Sequence, residues 1–128
     1  MGDHPHAVAY RATVSAFNEG DADAFAAQLA DDIVWHTVGG GETIHGAAAV
    51  AESMSGLANL DFNIELHDVV ANGDHLVGLV TASVTAGDQS ITYRTAEIMH
   101  VNDDGKVSER WSFADDSAAV AAFFAALG

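Results

Sequence analysis

From Leu60 onward the apolar residues recur at every second position, and this change of period constrains the fold more than any other feature of the chain. Leu60, Phe62, Ile64 and Leu66 alternate with polar residues, the pattern of a strand with one face on a core. Asn72-Gly73 is a strong hairpin signal. Leu76 to Val84 reads as a second long strand, and Gly87-Asp88 turns the chain again. Ile91 to Val101 is the third strand, and Asp103-Asp104-Gly105 turns it into Val107 to Asp115. Short links make these four strands neighbours in sequence order. A long, twisted antiparallel meander of this kind curls.

Before Leu60 the period is mostly helical. Ala7, Tyr10, Val14 and Phe17 share one face of a first helix, which Asn18-Glu19-Gly20 ends. Asp21 is placed to cap a second helix with Ala22, Phe25, Ala26 and Leu29 inward. Ala30-Asp31-Asp32 breaks that pattern, and Ile33 to Val38 reads as a strand. Gly39-Gly40-Gly41 reads as a loop. A third helix carries Ala47, Val50, Met54 and Leu57 on one face. A last helix, capped by Asp116 or Ser117, carries Val120, Phe123, Phe124 and Leu127. The expected fold is α+β, with helices covering the concave side of the curved sheet. No linker or repeat divides the chain, so residues 1–128 are expected to form one domain.

Charge excludes several functions. The net charge is −15, with only four Lys and Arg residues. That is too little positive charge to follow a phosphate backbone or an anionic membrane, so no nucleic acid and no membrane partner is expected. There is no cysteine, hence no disulfide and no thiol chemistry. The N-terminus lacks the pattern of a secretory signal, and the expected location is cytoplasmic. The histidines form no metal motif and the glycines no phosphate loop, so neither a metal nor another cofactor is expected.

Alternation puts Ile91, Tyr93, Thr95, Glu97, Met99 and Val101 on one side of the third meander strand. Glu97 is the acid on an otherwise bulky, apolar face. If that face lines a pocket, desolvation drives the carboxyl towards its neutral form and makes it a candidate general acid. A three-residue loop with glycine in the left-handed position sets Asn102 opposite Lys106. Counting back sets Glu97 opposite Trp111 and Tyr93 opposite Asp115. A bulge or a shorter loop would slip this register by one residue and turn Arg110 and Ser112 to Glu97's side. An Arg110–Glu97 ion pair would then favour the charged carboxylate. Trp35 and Thr37 share one side of the first strand and His36 takes the other.

The residues Phe17-Asn18-Glu19-Gly20-Asp21, Leu29-Ala30-Asp31-Asp32-Ile33-Val34-Trp35-His36, Ile44-His45-Gly46, Asp104-Gly105-Lys106-Val107 and Trp111-Ser112-Phe113-Ala114-Asp115 resemble the nuclear transport factor 2-like superfamily. The likeness is strongest to its SnoaL-like and ketosteroid-isomerase-like branches. It implies a cone-shaped domain around one pocket, commonly a homodimer. It puts Glu97 where the isomerases carry a protonated acid, but Thr37 and Thr13 where they carry their aspartate base and their tyrosine. It brings the first-strand end, with Trp35 and Thr37, to the pocket, and His45 near its mouth. His36 is a candidate base if that strand is bulged toward the pocket. Asp115 is another in the manner of the polyketide cyclases, with helix capping as its competing role. Arg94 resembles the arginine of the epoxide hydrolases without their flanking aspartates.

The function this implies is an isomerase, cyclase or dehydratase without cofactor, moving protons on a small apolar carbonyl compound. Catalytic candidates are Glu97, His36 and Asp115. Trp35, Thr37, His45, Tyr93, Arg110 and Trp111 are the pocket candidates. The rival is a non-catalytic ligand-binding or dimeric interaction domain, and a third reading is an epoxide hydrolase.

Overall fold

Pairing of the late strands organises the computed structural model, which describes residues 4–38, 42–57 and 60–127. Strands β3 (Asp61–Ala71), β4 (His75–Ala86), β5 (Gln89–Val101) and β6 (Val107–Ala114) form the antiparallel meander. β1 (Leu29–His36) then runs parallel to β6, and β2 (Thr43–His45) pairs antiparallel with β1. The resulting order is β2-β1-β6-β5-β4-β3. Helices α1 (Pro5–Glu19), α2 (Ala22–Ala26), α3 (Ala47–Ser55) and α4 (Ser117–Ala126) complete the described elements. The sheet curls without closing, giving the expected cone-shaped α+β architecture. No helix among the described residues is long and apolar enough to cross a membrane.

The element boundaries that differ most from the sequence reading lie around β1. The second helix stops at Ala26, and Leu29 begins the first strand. Ala30-Asp31-Asp32 continues that strand, because Leu29, Ala30 and Ile33 are buried while the two aspartates stay exposed. The strand ends at His36 rather than Val38. His45 belongs to β2 instead of a loop. The loop expected at Gly39-Gly40-Gly41 lies outside the described residues.

The helix ends follow their local chemistry. Asp21 and Asp116 accept hydrogen bonds from the amides of Ala24 (3.1 Å) and Ala119 (3.0 Å), satisfying otherwise orphaned donors. Asn18 grips the backbone of Ile64 from both sides. Its Nδ2 donates to the carbonyl at 2.7 Å, and its Oδ1 accepts from the amide at 2.8 Å. β3 is a sheet edge, so this side chain saturates edge groups that would otherwise be free to pair elsewhere.

α1 lies across the concave face. Ala7 joins Val69, Leu76, Met99 and Val101 in one apolar cluster, while Ala16 joins Phe25, Leu29, Ile33, Trp35 and Val50 in another. One close approach depends on a missing side chain. A Cβ at Gly78 would sit 2.6 Å from the Tyr10 ring, so glycine is the seat on which that ring rests. Gly78→Ala is expected to cost about 1–3 kcal/mol by overpacking. In a Tyr10→Ala background the same change is expected to cost nearly nothing, and a double-mutant cycle from urea unfolding measures the difference.

Candidate active site

The concave face and the helices enclose a cavity of about 680 Å³, within the range of small-molecule pockets. Phe17, Phe25, Met54, Phe62, Val80 and Phe124 contribute to its largely apolar wall. Contacts between rings stiffen that wall. Phe17 meets Phe62 edge-on at 5.1 Å, and Phe25 meets Trp35 at 6.0 Å.

One group of polar residues stands where β5 and β6 pair. Tyr93, Thr95, Glu97 and Met99 face inward from β5, as alternation requires. What β6 presents is set by a bulge. Asn102 does stand opposite Lys106, its amide donating to the Lys106 carbonyl at 2.8 Å, and Gly105 takes φ 76°. The ladder then pairs Val101 with Val107 but His100 with Glu109. Ser108 is the extra residue, and it inverts the parity of every later position. Glu97 therefore pairs with Ser112 instead of Trp111. Arg110 and Ser112 turn inward. Asp115 moves away from Tyr93, and its amide donates to the Arg94 carbonyl at 3.0 Å.

Glu97 is consequently one half of a buried ion pair. Arg110 Nη2 stands 2.5 Å from Glu97 Oε1, with both side chains nearly nine-tenths buried. Arg110 is further held by the His36 carbonyl, to which Nη1 donates at 3.0 Å. The Trp35 ring lies 4.1 Å from its guanidinium carbon. Three buried polar atoms at this spot make no hydrogen bond among the described residues: Glu97 Oε2, Arg110 Nε and Ser112 Oγ.

Two tyrosines share the cavity. Burial, then the Glu97 charge, pushes the Tyr93 phenol up to about 12, against a smaller downward pull from Arg110. The Tyr10 phenol is raised by the same causes in the same order. Both stay neutral hydrogen-bond donors at physiological pH. Helical spacing in the sequence puts Tyr10 on the core face of α1. Its place beside Glu97 follows from Gly78, which is Glu97's partner on β4.

The other sequence candidates divide cleanly. Trp35, Thr37, Tyr93 and Arg110 line the cavity with Glu97, whereas His36, His45, Trp111 and Asp115 do not. His36 and Trp111 lie on the outer face, stacked at 5.4 Å. His36 Nε2 pairs with Glu109 Oε2 at 2.8 Å. The parity change explains Trp111, and alternation on an unbulged Trp35–Thr37 segment explains His36. His45 is exposed at the end of β2. The Asp115 carboxylate accepts from the Arg94 amide at 3.3 Å, a strand-end contact.

The sequence model of the SnoaL-like domain matches residues 10–110, and the chain belongs to that family, within the nuclear transport factor 2-like superfamily. Its structure is similar to that of an LEH-like epoxide hydrolase from M. tuberculosis, with a TM-score of 0.77 and 22% identity over 86% of this chain and 82% of that one. It is similar to SalBIII, an epoxide hydrolase/cyclase-like enzyme in pyran ring formation in the polyether salinomycin, with a TM-score of 0.76 and 17% identity over 85% and 89% of the two chains. A third similar structure is an NTF2-like protein of unknown function from Burkholderia pseudomallei, with a TM-score of 0.76 and 22% identity over 90% and 93%. These likenesses establish the fold. Comparison with curated protein sequences finds no match.

Two measurements test the site's electrostatics. Removing Arg110 alone strands a buried carboxylate, so Arg110→Met is expected to destabilise by about 3–5 kcal/mol. Adding Glu97→Leu should recover most of that loss in chemical unfolding. The chain has two tyrosines, and the raised folded value means that the native state holds the phenol proton longer than the unfolded chain does. Their contribution is whole below the ordinary value of 10.0 and is lost as pH climbs towards about 12. Tyrosinate absorbance should therefore rise together with loss of near-ultraviolet circular dichroism; a full phenolate signal in the folded protein near pH 10 would contradict this.

Proposed function

We propose that the protein is an enzyme that moves protons on a small, mostly apolar carbonyl compound, using its own side chains. The observation that carries this reading is the unpartnered Glu97 Oε2 beside the matched Arg110 charge, at the polar spot of an apolar cavity. The sequence suggested a neutral acid. An ion-paired carboxylate instead suits a base, because its charge is retained in an apolar surrounding by a fixed partner.

In the proposed reaction Glu97 Oε2 takes a proton from the carbon next to the carbonyl. The electron pair moves onto the carbonyl oxygen, where Arg110 Nε donates as negative charge develops. Tyr10 and Tyr93 supply further neutral donors. Glu97 then returns the proton to another carbon, for isomerisation, or to a departing hydroxyl, for dehydration. His36 and Asp115 have no part in this scheme, since neither borders the cavity. The similarity to cyclase- and epoxide-hydrolase-like enzymes supports a pocket for small organic molecules.

Deuterium exchange tests the proposal without the natural substrate. An enolisable straight-chain ketone is incubated with the protein in heavy water and followed by mass spectrometry. Glu97→Gln should lower the protein-dependent exchange by about 10²–10⁴-fold while the ketone still binds. Equal exchange by wild type and variant, with binding kept in both, would leave a ligand-binding domain in place of an enzyme.

A further inference from the structure

Resting on the reading of this cavity as the working site, we infer that its ligand is a neutral hydroxy-carbonyl compound and that the site discriminates against carboxylates. Arg110 limits what a ligand can present at this spot. A bidentate grip on a carboxylate needs two adjacent N–H groups along one edge of the guanidinium. Nη1 is held by the His36 carbonyl and Nη2 by Glu97, while Trp35 covers one face of the group. Nη1 and Nη2 each have one of their two N–H groups engaged, and Nε is the nitrogen without any partner among the described residues. It offers a single N–H, suited to one carbonyl oxygen.

Charge points the same way. Arg110 already matches Glu97, so a ligand carboxylate would bring a second, uncompensated negative charge beside the first. It would do so inside an apolar cavity of a chain carrying −15, and burying an unpaired charge is costly.

The remaining unpartnered atoms specify the rest of the polar end. Glu97 Oε2 can only accept, so it asks for a ligand hydroxyl. Ser112 Oγ can give or take, and it belongs to the residue directly paired with Glu97. One donor, one acceptor and one group able to do either are together answered by a carbonyl with a nearby hydroxyl. A plain ketone offers Glu97 Oε2 no hydroxyl to hydrogen-bond, and a plain alcohol leaves the site without a carbonyl for Arg110 Nε. Because unmatched buried polar groups are costly, Ser112 becomes a specificity-determining residue.

Binding of three probes on one straight-chain skeleton of about eleven carbons tests this: a β-hydroxy ketone, the parent ketone and the parent carboxylate, by calorimetry and tryptophan fluorescence. The hydroxy ketone should bind at least about tenfold tighter than the ketone, and the carboxylate about tenfold weaker than the ketone. Ser112→Ala should cut the advantage of the hydroxy ketone over the ketone to within about threefold. A carboxylate that binds as well as the hydroxy ketone, or a hydroxy ketone no tighter than the ketone, would overturn the inference. Deuterium exchange separates the two proposals. Discrimination without exchange removes the enzyme and keeps the ligand class; exchange without discrimination does the reverse.

Discussion

The ion pair between Glu97 and Arg110 is the interaction on which the candidate site depends. Two opposite charges lie 2.5 Å apart, in a wall that is largely apolar. Either charge alone would be unfavourable there, and each makes the other tolerable. The pair in turn determines its surroundings. Trp35 flanks the guanidinium, the His36 carbonyl fixes one of its nitrogens, and the nearby negative charge helps to hold Tyr10 and Tyr93 in their neutral forms.

The sheet places this pair by unequal means on its two strands. On β5, plain alternation points Glu97 inward. On β6, one extra residue at Ser108 changes which side chains face the cavity. Without that bulge Trp111 would have entered the pocket and Arg110 would have faced outward. The same bulge leaves Trp111 stacked with His36 on the far side of the sheet. Inner and outer faces also meet through the backbone, because the carbonyl of His36, whose ring faces outward, receives the hydrogen bond of inward-facing Arg110.

Much of the fold was legible because its signals are local. The hairpin turns, the period-two strands and the acidic helix caps each follow from a few adjacent residues, and the meander order follows from short links. The misplaced start of β1 shows where local signals stop. Asp31 and Asp32 resemble a break when read alone, yet they are the exposed positions of a strand whose neighbours Ala30 and Ile33 are buried. The five-residue α2 likewise ends early because the chain joins the sheet beside β6 at Leu29 and Val107.

By itself the sequence determined the α+β class and Glu97 as the acid on one apolar face of β5, since these rest on local patterns; the cone shape was implied by the family resemblance. Tertiary structure decided the partner of that acid. A bulge between His100 and Val101 on one strand and Glu109 and Val107 on the other depends on how two strands settle against each other, and a one-residue difference reverses every side chain beyond it. Tertiary structure also brought Tyr10 to the site, across the chain from Glu97, because Gly78 leaves room for its ring. The acid was written in the local pattern; its charge partner, Ser112 and the tyrosine beside it were set by packing between elements far apart in sequence.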